Sequence, residues 1–520
     1  MTSVSIGEPT PLTGRELWQA RVQETPHRTF LHAAGRSWTY AEFDAEKARF
    51  AASFESLGVG LGTKVLVGMS NSPEAFFVHF ALMQLGAVVV PLQMDLTFDE
   101  LRYPINHSEA PLLVADDPLA STVLPHIDQC PGLEHVVVHE PSVPVAVPVS
   151  KLSELAGAEP KPFEHIDGHE EQSPALILYT SGSTGRPKGV VLNAGAFGSS
   201  GAGFAECFGI TASDNYFLPL TMAHAIGALV GPAMAVVTGG SLTLVDRFSP
   251  TSFWRQVAET GATYSILFPA HLNLLMETQE DGPSAGESSL RLVITHAWLE
   301  NFYRRFNVNL ATVWGMTETG AMATGSAPGH QPEGYVGKPM SGVEVGIFDE
   351  MSQRLPAGEV GEIRLRHRNV MLEYFKNPEA TGTTLVDGWV RSGDYGFVDA
   401  DGGLYFGGRL QDMIKRSGEN ISPEEVINAL VDHPDVTEAF VMGVPDPIRT
   451  EEVAALVVIQ RRVDLSDVIE VASQRLIRRK LPRYIIATRD PLPRLGNGKI
   501  DRATIKRDFD PANAWDRIAE

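Results

Sequence analysis

The residues best equipped for chemistry form a run of hydroxyls and glycines, Thr180-Ser181-Gly182-Ser183-Thr184-Gly185, followed at once by Arg186-Pro187-Lys188-Gly189. Glycines let a backbone turn so that several N–H groups point at one anion, and hydroxyls add donors without bulk. Lys188 supplies positive charge at the far end of the run. Each charge-assisted bond to a phosphate oxygen contributes about 1.5–3 kcal/mol once water is excluded. Ser and Gly alone would make a flexible linker. Apolar residues flank this run on both sides, however, Leu176-Ile-Leu-Tyr179 before it and Val190-Val-Leu192 after it. A phosphate-binding turn between two strands is therefore expected. It is not a P-loop of the GxxxxGK[ST] kind, because no GK[ST] opens a helix here.

The elements that must position this turn follow from the pattern around it. Up to about Gly337, runs that are apolar throughout (65–69, 87–90, 112–115, 136–138, 175–179 and 265–268) alternate with helical patterns. Strands without polar alternation, separated by helices, predict parallel sheets covered on both faces. Beyond Gly337 the strands shorten and alternate (343–348, 361–365), with turns at Asp387-Gly388 and Asp401-Gly402-Gly403, which predicts antiparallel hairpins closing a small barrel-like subdomain over about 338–409. From Ser422 onward a helix at Pro423–Val431, strands at 439–444 and 454–459, and a helix at 465–480 predict a compact α+β unit. The expected architecture is α/β: a large N-terminal domain, 1–409, a joint at 410–411, and a small C-terminal domain, 412–520. A length of 520 residues suits two large domains or three ordinary ones.

Composition excludes several function classes. With 43% hydrophobic and 20% charged residues the chain is an ordinary globular one, not a disordered one. Its net charge of −22 repels phosphate backbones, so sequence-independent binding to nucleic acid or to an anionic membrane is not expected. One stretch runs against that charge: between Arg475 and Arg507 eleven Lys or Arg face only Asp490 and Asp501, which invites a small polyanion. Cys130 and Cys207 are isolated thiols, so neither a disulfide framework nor a zinc site is supported, and a reducing cytoplasm is expected. The first residues lack a basic-then-apolar leader pattern. The most apolar window, 76–94, is broken by His79, Gln84, Gly86, Pro91 and Gln93 and reads as a buried helix and strand, so no membrane span is expected.

The phosphate turn resembles the signature of the adenylate-forming superfamily: acyl-CoA synthetases, luciferases and peptide-synthetase adenylation domains. The resemblance recurs in order along the chain, five segments in all. Trp314-Gly315-Met316-Thr317-Glu318 resembles the family's aromatic-Gly-x-Thr-Glu motif. By that resemblance the ring stacks on adenine, Thr317 meets the α-phosphate and Glu318 holds Mg²⁺, roles that suit an aromatic face, a hydroxyl and a carboxylate. Trp389-Val-Arg-Ser-Gly-Asp394 resembles the ribose-binding segment, with Asp394 accepting from the ribose hydroxyls. Gly408-Arg409-Leu-Gln411 resembles the interdomain motif, with Arg409 reaching ribose or phosphate and Gln411 at the hinge, where Asp or Lys is usual. Pro493-Arg-Leu-Gly-Asn-Gly-Lys499 resembles the C-terminal loop whose lysine completes the adenylation site.

What the resemblance implies is a stand-alone AMP-forming acid:CoA ligase. Mg·ATP and an organic acid give an acyl-adenylate and pyrophosphate, with Lys188, Thr184, Glu318 and Lys499 as the catalytic set. The mobile C-terminal domain then swings about Gln411, presents Gly418-Glu419-Asn420, and CoA displaces AMP. Departures cluster on the acid side. The segment between Ser289 and Trp314 is several residues short and lacks its usual glycines, leaving Thr295-His296-Ala-Trp298 to line the acid pocket with bulkier groups. The spacing before His224, another acid-pocket candidate, is stretched, and Asn193-Ala194 stands where Thr-His is common. A reshaped pocket keeps two other enzyme readings open: adenylation of nitrite for transfer to an aryl amine, and loading of a separate carrier protein. With no carrier domain after Glu520, a peptide-synthetase module is not expected. A non-catalytic nucleotide-binding role sits poorly with Lys188, Glu318, Asp394, Arg409 and Lys499 occurring together.

Overall fold

Strands Val88–Pro91 and Leu112–Ala115 are buried at every position, with none of the alternation that a half-solvated strand shows. Such strands need cover on both faces, and the computed structural model provides it with helices. Described here are residues 13–139, 147–180, 186–278, 288–296, 298–321, 323–416, 419–494 and 500–518, with backbone alone at 411, 419 and 420. Two compact units result, one of residues 1–345 and 365–391, the other of 346–364 and 392–520.

The first unit holds two large sheets. One has eight strands in the order Glu373–Tyr374, Lys188–Asn193, Pro174–Thr180, Val88–Pro91, Lys64–Gly68, Leu112–Ala115, His135–Val138 and Val149–Lys151. It is parallel from Pro174–Thr180 onward and antiparallel at the edge that carries the phosphate turn. The other has nine strands and is parallel from Asn309–Trp314 through Leu292–Thr295, Tyr264–Ile266, Asn215–Leu218 and Ser241–Leu244 to Thr29–Ala33. Between the layers lies an aromatic core in which Trp18 stands 4.8 Å from both Phe30 and Phe80. The strand expected at 265–268 stops at Ile266, because Phe268 caps the helix Pro269–Glu277 that begins with proline.

The hairpins expected beyond Gly337 form a five-stranded sheet built from Glu344–Phe348, Gly361–Arg366, Leu385–Val386, Trp389–Val398 and Leu404–Arg409. Within the second unit a six-stranded, mainly antiparallel sheet runs from Ile414–Arg416 to Trp515–Asp516, and the helices Pro423–Val431 and Leu465–Ser473 contribute to its core. The second helix stops at Ser473 rather than near 480. Arg475 and Lys480 instead pair with Asp432 and Glu425, at 2.7 and 2.6 Å.

Candidate active site

The strand Pro174–Thr180 folds back antiparallel on Lys188–Asn193 with Thr180 opposite Lys188, so the register pins both ends of the phosphate turn. The turn residues Ser181, Gly182, Ser183, Thr184 and Gly185 lie outside the described residues, as do Gly418, Lys499 and the side chains of Gln411, Glu419 and Asn420. A third antiparallel segment completes the edge. The Leu372 N–H donates to the Val191 carbonyl at 2.8 Å and the Phe375 N–H to the Gly189 carbonyl at 2.7 Å. This lays Tyr374 beside Lys188, whose Nζ sits 4.9 Å from the ring centroid, within cation–π range.

Glu318 reaches the same ring from the other sheet. The strand Asn309–Trp314 ends in a 3₁₀ turn, Thr317–Thr319, closed by Gly320 at φ +63°. The Thr319 hydroxyl donates back to the Met316 carbonyl at 2.7 Å. Met371 N–H donates to the Glu318 carbonyl at 2.8 Å, and His367 Nε2 donates to the Thr319 carbonyl at 2.8 Å. The Glu318 side chain is buried, and its Oε1 accepts from the Tyr374 hydroxyl at 2.7 Å. Burial, and after it the Glu318 charge, raises the Tyr374 pKa far above the usual phenol value, which keeps the hydroxyl a donor. Trp314 is buried, while Gly315, Met316 and Thr317 are half-buried.

Among the described residues no group of three or more His, Cys, Asp or Glu could hold a metal ion. A lone buried carboxylate fits Mg²⁺ well, since that ion keeps waters and takes one or two carboxylates plus substrate phosphates rather than a protein cage.

Two of the residues expected on the acid side, His224 and His296, meet at an aromatic ring that sequence reasoning passed over. The His296 ring lies nearly parallel to Phe268, 8° apart with centroids at 5.4 Å, and His224 meets Phe268 edge-on at 5.3 Å. A third imidazole, His271, stacks on Phe268 at 5.7 Å. His296 Nδ1 donates to the Val313 carbonyl at 3.1 Å, next to Trp314, which ties this cluster to the Trp314–Glu318 segment. His224 opens the turn into Ile226–Val230, and its Nδ1 accepts from the Ile226 N–H at 3.2 Å. That bond leaves Nε2 to carry the ring proton of the neutral form. Thr295, expected on the acid, is fully buried: it shares the strand face of Val293 and pairs with Thr312. The only signal that could have found Phe268 was its place between a strand and Pro269.

In the second unit, Asp394 lies directly opposite Arg409 on adjacent antiparallel strands. Asp394 is buried, and Arg409 Nε stands 2.9 Å from its Oδ1. The Asp394 N–H donates to the Ser392 hydroxyl at 3.0 Å. Arg502 is close enough to feel both charges: burial lowers its pKa first, Arg409 adds to that, and Asp394 opposes it. Much of the basic run is taken up locally, because Arg494 pairs with Glu438, Arg502 and Lys506 with Asp412, and Arg483 with Asp516. Fewer of its charges therefore remain to attract a polyanion.

Lys188, at the antiparallel edge of one sheet, and Glu318, from the end of the other, meet at Tyr374, an arrangement suited to a phosphate and a hard cation and so to a nucleotide-binding enzyme. The chain belongs to the AMP-binding enzyme family: residues 18–375 match that family's model, and residues 425–499 match the AMP-binding enzyme C-terminal domain. It is 32% identical to a crotonobetaine/carnitine–CoA ligase of Escherichia coli O8 (strain IAI1), over 95% of this chain and 98% of that protein. Among solved structures it is similar to ATP-bound MatB from Rhodopseudomonas palustris, at 27% identity and a TM-score of 0.84, covering 95% of this chain and 99% of that one. It is also similar to o-succinylbenzoate coenzyme A synthetase, MenE, from Bacillus subtilis in complex with ATP and magnesium ion, at 27% identity and a TM-score of 0.81, covering 94% and 99%.

Proposed function

We propose that this enzyme is an AMP-forming acid:CoA ligase working in two half-reactions. In the first, an oxygen of the acid attacks the α-phosphorus of ATP, the bond to the β-phosphate breaks and pyrophosphate leaves. No protein nucleophile is needed, so positioning and charge neutralisation carry the step. In the second, the CoA thiol attacks the acyl carbon and AMP leaves with the bonding pair. The observation that carries the reading is the convergence of Lys188 and Glu318 on Tyr374, beside a turn whose ends are pinned at Thr180 and Lys188. Lys188 with the turn amides meets the phosphates. Glu318 holds Mg²⁺, which supplies charge neutralisation on those oxygens.

Trp314 and Gly315-Met316-Thr317 line the base and α-phosphate, Asp394 and Arg409 hold the ribose, and His224 and His296 face the acid around Phe268. Lys499 completes the first half-reaction. The chain beyond Gln411 then turns, withdrawing Lys499 and presenting Gly418-Glu419-Asn420 to CoA. A hinge of this kind lets one site run two chemistries in turn.

Among the described residues no helix is long and apolar enough to cross a membrane. Cytoplasmic residence is supported by Cys130 and Cys207, both unpaired and both pushed up to about 11 by burial, which keeps them inert. The decisive experiment is pyrophosphate release with Mg·ATP against a panel of carboxylates, crotonobetaine and carnitine among them, and nitrite, each with and without CoA. A working carboxylate with CoA-dependent AMP turnover establishes the ligase and names its acid. Adenylation without a CoA response points to a carrier thiol. A response to nitrite and an aryl amine alone would overturn the CoA reading.

A further inference from the structure

Glu318 projects from a turn only three residues long, Thr317–Thr319. Two main-chain bonds, from Met371 N–H and His367 Nε2, hold that turn in place, but they leave the carboxylate free to rotate about its own side-chain bonds. The Tyr374 hydroxyl, 2.7 Å from Oε1, limits that rotation. Tyr374 is itself firmly held. It is buried, it sits in register opposite Val190, and its N–H donates to the Thr381 hydroxyl at 2.9 Å. Its ring face meanwhile takes the Lys188 ammonium at 4.9 Å. One side chain thus touches the carboxylate through its edge and the lysine through its face.

We propose that Tyr374 is the positioning residue of this site, fixing the Glu318 rotamer that meets Mg²⁺ and spacing Lys188 from it so that the two charges do not collapse into an ion pair. The inference rests on the ligase reading. A bond that served only to satisfy a buried carboxylate would affect folding and leave metal affinity unchanged. A positioning bond affects metal affinity, because an unrestrained carboxylate must be ordered each time the ion binds.

The test is Mn²⁺ binding, read by electron paramagnetic resonance with a non-hydrolysable ATP analogue present, on the full-length wild type and on Tyr374→Phe. The substitution keeps the ring that covers Lys188 and removes one oxygen. Tyr374→Phe should bind Mn²⁺ about tenfold more weakly, the low end for a hydrogen bond to a charged group, and should need correspondingly more Mg²⁺ for pyrophosphate release. The KM for the acid should stay as it was, and Tyr374→Leu, which also removes the ring face, should raise the KM for ATP. If Tyr374→Phe is not recovered folded, Thr381→Val loosens the Tyr374 main chain without touching either functional group and should move the affinity in the same direction. Equal Mn²⁺ affinity in wild type and the folded variant overturns the inference and leaves the ligase reading intact. A wild type that binds no Mn²⁺ with the analogue overturns the ligase reading itself.

Discussion

Arg409 Nε lies 2.9 Å from Asp394 Oδ1, and the two residues face each other directly across adjacent antiparallel strands. The backbone register therefore sets the geometry of the pair before any ligand arrives. A carboxylate paired with a guanidinium offers its remaining lone pairs as acceptors.

Asp394 should therefore read the ribose through hydroxyl donors. Asp394→Ala should raise the KM for ATP by about 10- to 100-fold, the range for lost bonds to a charged group. Wild type should discriminate against 2′-deoxy-ATP and Asp394→Ala should not, as initial rates of pyrophosphate release will tell. A variant that still prefers ATP to its 2′-deoxy form would move the ribose contact elsewhere.

Gly320 ends the turn that carries Glu318, at φ +63°, and a Cβ placed there would stand 2.9 Å from the Asn369 carbonyl oxygen. Gly320→Ala faces both the left-handed penalty, about 1–2 kcal/mol for an ordinary residue, and a backbone contact too short to keep. The turn should relax by shifting Glu318, so adenylation should fall well beyond what lost stability alone explains. Thermal melting alongside pyrophosphate release separates the two; a variant that melts lower with full activity would clear Gly320 of any role in aiming Glu318.

The residues around Gly320 mark how far the sequence could be read. The family was legible because its motifs, such as Thr180–Gly189 and Trp314–Glu318, are short contiguous runs, and the strands 112–115 and 136–138 because continuous apolar runs need two covered faces. Tyr374 was not, since its meaning arises only when Glu373–Tyr374 pairs with a strand far earlier in the chain. Phe268 likewise gains partners from two distant segments, at His224 and His296, beside His271 on the helix that it caps. Thr295 and His296 stand together in the sequence, yet Thr295 is fully buried at the end of the strand Leu292–Thr295 while His296 lies beyond it and meets Phe268.

Acid should destabilise the first unit through His79. This imidazole is buried, lines a cavity also faced by Arg15 and His169, and bonds to the Ala228 carbonyl. Burial lowers its pKa to about 4. An unfolded imidazole titrates near 6.5. Above about pH 6.5 both states are neutral and the group adds no pH dependence. Between the two values the unfolded chain binds a proton that the folded chain refuses, so stability falls as pH falls, by up to about 3 kcal/mol at pH 4. His271 and His367, also lowered by burial, act in the same direction. Urea midpoints should drop from pH 7.5 to pH 5, and the His79 ring should remain neutral by NMR at pH 5. A protonated His79 in the folded protein at that pH would refute the assignment.

Lys499 is expected to serve one half-reaction only. Its loop resembles the one that completes the adenylation site, and in the ligase reading the chain beyond Gln411 carries it away before the thiol enters. Lys499→Ala should then cut adenylate formation by about 100- to 1,000-fold, the cost of removing one group that neutralises developing charge. Thioester formation from a chemically supplied acyl-adenylate and CoA should proceed within a few-fold of wild type, because that step breaks the acyl carbon–oxygen bond and leaves every bond to phosphorus intact. Rapid-quench measurement of each half-reaction separately gives both numbers from one preparation. Equal loss in the two would mean that Lys499 remains in the site throughout, and with that the hinge at Gln411 would lose its purpose, since a site that keeps its adenylating lysine has no need to turn.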